Sequence, residues 1–275
     1  MLFASNLGCN VIFSLGVLAF CSLLLWLISV WLRDASIADI MWGLYFVILT
    51  WISYFHVPTS RGLLITILTS IWGIRLSLYL FVRNHRKSED RRYAAMRQYH
   101  GQNFWWRSFF TVFTFQMFLA WLIGFPQQFA HTPDELNAID VLGTLLWCVG
   151  LYWEVVGDWQ LHNFLSKKKG DEVLDQGLWK YSRHPNYFGD AVLWWGYGSI
   201  AFAGTGWWLI LLCPACMTFL LLRVSGVRLL EKDIQERRPE YASYIERTSS
   251  FFPWFPLKES VSRNKTKRTE IPQAD

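Results

Sequence analysis

Seven apolar stretches of bilayer-spanning length dominate this 275-residue chain, at approximately 11–32, 37–55, 62–82, 108–130, 140–162, 187–203 and 207–225. A hydrocarbon core about 30 Å thick takes roughly 20 apolar residues per helix. Lipid offers no partner to a backbone amide, so each stretch must close its own hydrogen bonds as a helix. The expected fold is therefore all-α, a polytopic membrane bundle of about seven transmembrane helices. Only 17% of the residues are charged and 53% are hydrophobic, which excludes an ordinary soluble enzyme as well as a disordered or collagen-like chain. The first stretch reads as a retained anchor and not a cleavable signal, because no Lys or Arg precedes it and Trp26 and Trp31 stand where small residues would be needed. Five Cys at 9, 21, 148, 213 and 216 fall mostly inside the apolar runs and read as buried hydrophobes, the Cys213–Cys216 pair included.

Basic residues divide the loops into two sets. With the N-terminus outside and the C-terminus cytoplasmic, 23 of the 24 Lys and Arg that lie outside the spans face the cytoplasm, and Arg61 alone faces out. The formal net charge of +5 then expresses topology, with no call for a nucleic-acid partner. No internal repeat or boundary between soluble domains is visible. Residues 1–257 read as one membrane-embedded domain, and 258–275 as a basic, disordered tail suited to anionic headgroups.

Ionisable groups inside spans are expensive and so point to function. Asp39, Arg75, Glu154, Asp158, Asp190 and Arg223 are of this kind. Glu154, Asp158 and His162 recur at four-residue spacing with Asn163 beside them, which predicts a polar stripe on one face of the fifth span. No second ligand cluster accompanies them, so no metal is expected. Such a stripe can exchange hydrogen bonds with a ribose or an amide.

The densest chemistry is GLWKYSRHPNYFGD at 177–190. Pro185 suits a first helical turn, which puts Arg183, His184, Asn186 and Tyr187 around a helix N-terminus. Free amides and the helix dipole favour an anion there, and Arg183 offers a fork to phosphate. Asn186 and Asp190 are four apart, on one helical face. No G-x-G-x-x-G is present, so a Rossmann fold is excluded and any nucleotide binds among membrane helices.

These motifs carry a resemblance. DWQLHNF at 158–164, GLWKYSRHPNYFGD, the WW pair at 194–195 and LLEKDIQERRPEYASYIERTSSFFPWFP at 229–256 resemble the DUF1295 family of the steroid 5α-reductase C-terminal-domain group, with SIADIMWG at 36–43, GIRLSLYL at 73–80 and EDRRY at 89–93 in the N-terminal part. The group is related to Δ14-sterol reductases and, more distantly, to isoprenylcysteine carboxyl methyltransferases. The resemblance implies NADPH in a cytoplasm-facing pocket and hydride delivery to a carbon–carbon double bond of a lipid taken from the bilayer. It assigns cofactor contacts to Asp158, Arg183, Asn186 and Asp190, with His162, Asn163, His184, Tyr187, Arg228, Glu231 and Tyr241 as secondary contributors. Asp190 replaces the usual Glu. Steroid 5α-reductases use a membrane Glu and a Tyr to polarise an enone carbonyl. Asp39 stands near the Glu position, whereas the third span reads Trp72-Gly73-Ile74-Arg75 without the Tyr, which turns attention from 3-oxosteroids and leaves Tyr93 as an alternative proton donor.

The expected activity is an NADPH-dependent lipid double-bond reductase, with Asp39 and Tyr93 as catalytic candidates, in a bacterial inner membrane or the endoplasmic reticulum. An S-adenosylmethionine-dependent methyltransferase and a non-catalytic lipid-binding protein are the competing readings. The lipid and the oligomeric state are not specified by the residues.

Overall fold

The structure, a computed structural model, describes residues 2–85, 87–168, 170–224, 226–227, 231 and 241–257, with side chains from Gly8 onward. The tail expected at 258–275 and the candidate Arg228 lie outside the described residues. Every described secondary-structure element is helical.

Five helical segments are long and apolar enough to cross a bilayer, which makes this a multi-pass membrane protein: Gly8–Leu32, Ile37–His56, Ser60–Asn84, Arg91–Ile123 and Ala138–Lys167. The expected count of seven is not reached on these grounds. Pro185–Thr205 has 21 residues, but Gly, Trp, Tyr and Asp190 dilute its apolarity. Trp208–Val224 is shorter, and it opens as a 3-10 turn and closes as a π-helix. The fourth expected span starts earlier and breaks at Gly124, where an added Cβ would lie 2.6 Å from Leu49 and 2.8 Å from the Ala120 carbonyl.

Local chemistry sets the ends. Helices α1 (Leu2–Leu32) and α2 (Ile37–His56) are joined by a tight turn. The Thr59 hydroxyl caps α3 (Ser60–Asn84) by accepting from the Gly62 amide, and the Asp90 carboxylate caps α4 (Arg91–His100) by accepting from the Arg92 amide. The fourth segment then continues through α5 (Phe104–Ser108), a π turn at Phe109–Thr114 and α6 (Phe115–Ile123), followed by α7 (Phe125–Phe129). Helices α8 (Ala138–Lys167), α9 (Pro185–Thr205), α10 (Leu212–Phe219) and α11 (Tyr241–Arg247) complete the described elements.

The chain divides into two compact units, residues 1–151 with 190–220, and residues 152–189 with 221–275. In the first, α1 turns a stripe of mostly small and polar residues inward: Asn10, Ser14, Leu18, Ser22 and Ser29 are buried while Phe13, Phe20 and Leu27 face out. Lipid tails are as apolar as leucine, so hydrogen bonds and close packing join such helices where burial of oil does not. Ser14 donates to Gln128, Asn10 to Ser53, and the Thr50 and Thr66 hydroxyls meet at 2.9 Å. Helices α2 and α3 touch backbone to backbone at Gly43 and Gly73, where an added Cβ on either would stand about 2.5 Å from the other's carbonyl oxygen.

Arg61, expected as the one outward loop charge, is instead fully buried. Its Nε and Nη2 bind both oxygens of Asp140 at 2.9 Å, Nη1 donates to Thr132 at 2.6 Å, and Nη2 also reaches the Glu135 carbonyl at 2.8 Å. One side chain thereby ties the starts of α3 and α8 to the 132–135 segment. Arg61→Ala strands a buried carboxylate and is expected to destabilise by about 3 kcal/mol, with Asp140→Ala costing a similar amount. Unfolding of the detergent-purified variants by heat or by SDS reads this out; a loss near zero for either would mean the pair is dispensable.

Candidate functional site

In the second unit, the two segments richest in motif residues fold onto each other. Gly177 opens the first with φ +62°, and an added Cβ there would collide with Gln160. A short 3-10 turn follows at Gly177–Lys180, with the Trp179 indole donating to the Gly157 carbonyl. Residues 181–183 then run beside the C-terminal segment. The Arg183 amide donates to Ser249 O, the Ser182 hydroxyl to Phe251 O, and the Trp254 amide to Tyr181 O. The Tyr244 hydroxyl closes the turn by donating to Trp179 O.

Arg183 is 7% exposed, and its guanidinium is already engaged. Nε and Nη2 grip the two oxygens of Glu231 at 2.7 and 2.9 Å, and Nη1 donates to the carbonyls of Ile245 and Thr248. His184 Nε2 lies 3.0 Å from the same Glu231 oxygen, and its ring stacks on Tyr187 at 5.7 Å. Burial pushes the Glu231 carboxyl up, but hydrogen bonds from His184 and Arg183 and the guanidinium charge outweigh it and hold the group at about 2. Burial pushes the Tyr244 phenol up.

Helix α9 begins at Pro185, as the motif predicts, and the Asn186 amide donates to Asp158 of α8 at 3.0 Å. Gly157 permits this approach: a Cβ there would stand 3.0 Å from the Asn186 nitrogen. Glu154 and Asp158 are buried, whereas His162 is exposed and Asn163 is half-buried. The stripe expected from four-residue spacing therefore turns out of the packed interior at its third member. Each step of four overshoots a full turn by about 40°, so two steps rotate a side chain off the buried face. Asp190 lies further along α9, half-buried, in the part of that helix belonging to the first unit.

The first unit carries a second cluster. Tyr93, third residue of α4, is buried, and its hydroxyl donates to Asp39 Oδ1 at 2.5 Å while accepting from the Gln116 amide at 2.9 Å. Arg92 Nη2 reaches Asp39 Oδ2 at 2.6 Å and is ion-paired with it, and the guanidinium lies over the Tyr93 ring. Ala35, Ala38, Phe104 and Phe113 wall the phenol. Asp39 and Tyr93, 54 positions apart in sequence, are thus direct partners. Arg92 and Gln116 were not anticipated as members. Arg92 belongs to the EDRRY run, and Gln116 is a polar interruption in an aromatic span, a signal of the same kind that drew attention to Asp39. Among the described residues no three His, Cys, Asp or Glu side chains gather as a metal site.

The family model for a protein of unknown function, DUF1295, matches residues 25–248, and the chain belongs to that family. An uncharacterized protein of Schizosaccharomyces pombe is 23% identical over 267 residues, spanning 83% of this chain and 75% of the yeast protein. No solved structure matches.

The depressed carboxyl of Glu231 has a defined pH consequence. Its stabilising contribution is complete above the unfolded value of 4.5 and is lost as pH falls from there through about 2. Between pH 5 and 2.5 the wild type should lose about 2 kcal/mol more than Glu231→Gln, after allowance for solvent screening. Melting temperatures measured across that range check it, and parallel curves would show that Glu231 carries no such linkage.

Proposed function

We propose that this DUF1295 protein is an NADPH-dependent reductase of a carbon–carbon double bond in a membrane lipid, the bond being conjugated to a carbonyl. The observation that carries the reading is the buried Tyr93 hydroxyl held between Asp39 and Gln116. Reduction requires a hydride on one carbon and a proton on the other, with negative charge building on the carbonyl oxygen in between. NADPH, when bound, supplies the hydride.

The chain's own groups have separable tasks. Asp39, ion-paired with Arg92, serves as an acceptor that orients the phenol, so Tyr93 and not Asp39 is the donor. When the Tyr93 hydroxyl turns from Asp39 to a substrate oxygen, Gln116 still holds the phenol oxygen in place. The aromatic and alanine walls exclude water from the proton.

For the cofactor, the donor set in the second unit fits a dinucleotide. The start of a 21-residue helix offers backbone amides to an anion, and the Asn186–Asp158 pair offers donor and acceptor to a ribose or amide group. Arg183 and His184, locked to Glu231, shape that terminus. Asp190 keeps the cofactor contact, and His162, Asn163 and Tyr187 the supporting roles, that the resemblance assigns them. The finer topology belongs to the same reading: α9 and the Trp208–Val224 segment also cross, giving seven spans with the N-terminus outside.

Thermal unfolding with NADPH, NADH, S-adenosylmethionine or no ligand tests the cofactor. A ligand at 100 times its Kd stabilises by about 2.7 kcal/mol, and NADPH is expected to do so for the wild type and for Tyr93→Phe but not for Asn186→Ala. With an unsaturated lipid panel, Tyr93→Phe should lower NADPH oxidation about 100-fold. A response to S-adenosylmethionine alone would replace reduction by methyl transfer, and NADPH binding without turnover of any lipid would favour the non-catalytic reading. Cysteine-labelling at Ser60 and at Lys168 from opposite sides of the membrane checks the topology, with Ser60 expected to react from outside and Lys168 from the cytoplasm.

A further inference from the structure

A cavity of about 650 Å³ in the first unit lies where α1 ends, walled by Val30, Phe104 and Trp105 and edged by Arg33, Arg97 and Gln102. It adjoins the Tyr93 cluster, sharing Ala35 and Phe104 with that cluster's wall, but Asp39, Arg92, Tyr93 and Gln116 do not line it. Its most informative feature is the backbone of Arg33.

Helix α1 closes with the paired hydrogen bonds of a Schellman motif. The Asp34 amide donates to Ser29 O at 3.1 Å and the Arg33 amide to Val30 O at 3.3 Å. The residue between them must take the left-handed conformation, and glycine is the usual choice because it has no Cβ to clash. Here Arg33 sits at φ +56°, the only non-glycine residue with positive φ among those described. A cation kept in the left-handed region at a helix end, where glycine would cost less, is a candidate for function.

The neighbouring charges are already committed. Glu89 binds Arg97 at 2.7 Å and accepts from the Ala35 amide, and Asp34 caps the next turn by accepting from the Ser36 amide. The Arg33 side chain is exposed and makes no ion pair among the described residues. Its free fork meets an opening whose other wall is apolar, at the end of a 25-residue apolar segment where Trp31 is 81% exposed and Trp105 53%. Amphipathic aromatics mark the level of lipid headgroups.

We propose that this cavity binds the phosphate headgroup of a membrane lipid, with Arg33 as the principal phosphate contact, Gln102 as a further donor, and Trp105 and Val30 against the first part of the acyl chains. The site is independent of the reductase reading. A free phosphate shares the headgroup chemistry but gains nothing from the apolar wall.

The test is binding to the delipidated full-length protein, followed by native mass spectrometry and melting temperature, with dioctanoyl phosphatidic acid, dioctanoylglycerol and inorganic phosphate as probes. Phosphatidic acid is expected to bind one to one and at least about tenfold more tightly than either of the others. Arg33→Gly should weaken phosphatidic acid by about tenfold or more while the ligand-free melting temperature holds or rises, because glycine relieves the left-handed strain. Arg33→Lys should retain most of the affinity, and Arg107→Gln, at an exposed arginine outside the cavity, all of it. Unchanged binding by Arg33→Gly, or an equal loss in Arg107→Gln, would overturn the site. Inorganic phosphate matching phosphatidic acid would overturn the lipid as occupant, and a fall in the ligand-free melting temperature of Arg33→Gly would overturn the strain on which the assignment rests.

Discussion

A charge withdrawn from water inside a membrane protein is tolerated only where its counter-charge and hydrogen-bond partners are already in position. That requirement organises both units. Arg61 joins Asp140, Thr132 and the 132–135 backbone in the first, and Arg183 joins Glu231 and the 245–248 backbone in the second. In each case a guanidinium gathers segments distant in sequence, because its donors point several ways from a rigid plane. These arginines are structural centres first. Arg183 influences any ligand at the start of α9 through the positions of His184 and Asn186 as much as through its own charge.

Close backbone approach provides the second constraint. With no apolar driving force between helices in lipid, packing depends on how near two backbones come. Gly43 and Gly73 bring α2 and α3 together, Gly143 and Gly196 do so for α8 and α9, and Gly157 lets Asn186 reach Asp158. The last of these is both a packing contact and a feature of the candidate cofactor site. A side chain at Gly157 would move the amide away from the carboxylate.

The helices were legible in the chain because bilayer length and apolarity are properties of consecutive residues. The turn at Pro185 was legible for a similar reason, since proline restricts its own φ. Burial along α8 was less so: a spacing of four suggested one stripe through His162, and helical rotation carries that residue off the buried face. Arg61 read as a loop charge because nothing adjacent to it in sequence foretells Asp140, 79 positions away. Asp39 and Tyr93 could each be selected as costly or chemically able residues, yet their pairing, and the support from Arg92 and Gln116, required the folded chain.

Consecutive residues determined the helical class, the membrane setting, the family motifs and the start of α9, all of which follow from local hydrogen bonding, hydropathy or backbone restriction. Tertiary structure alone decided which charges neutralise each other, that Tyr93 hydrogen-bonds to Asp39, and that a left-handed arginine edges a cavity at the end of α1. Those outcomes depend on distances between residues far apart in the chain, and such distances exist only once the helices have packed.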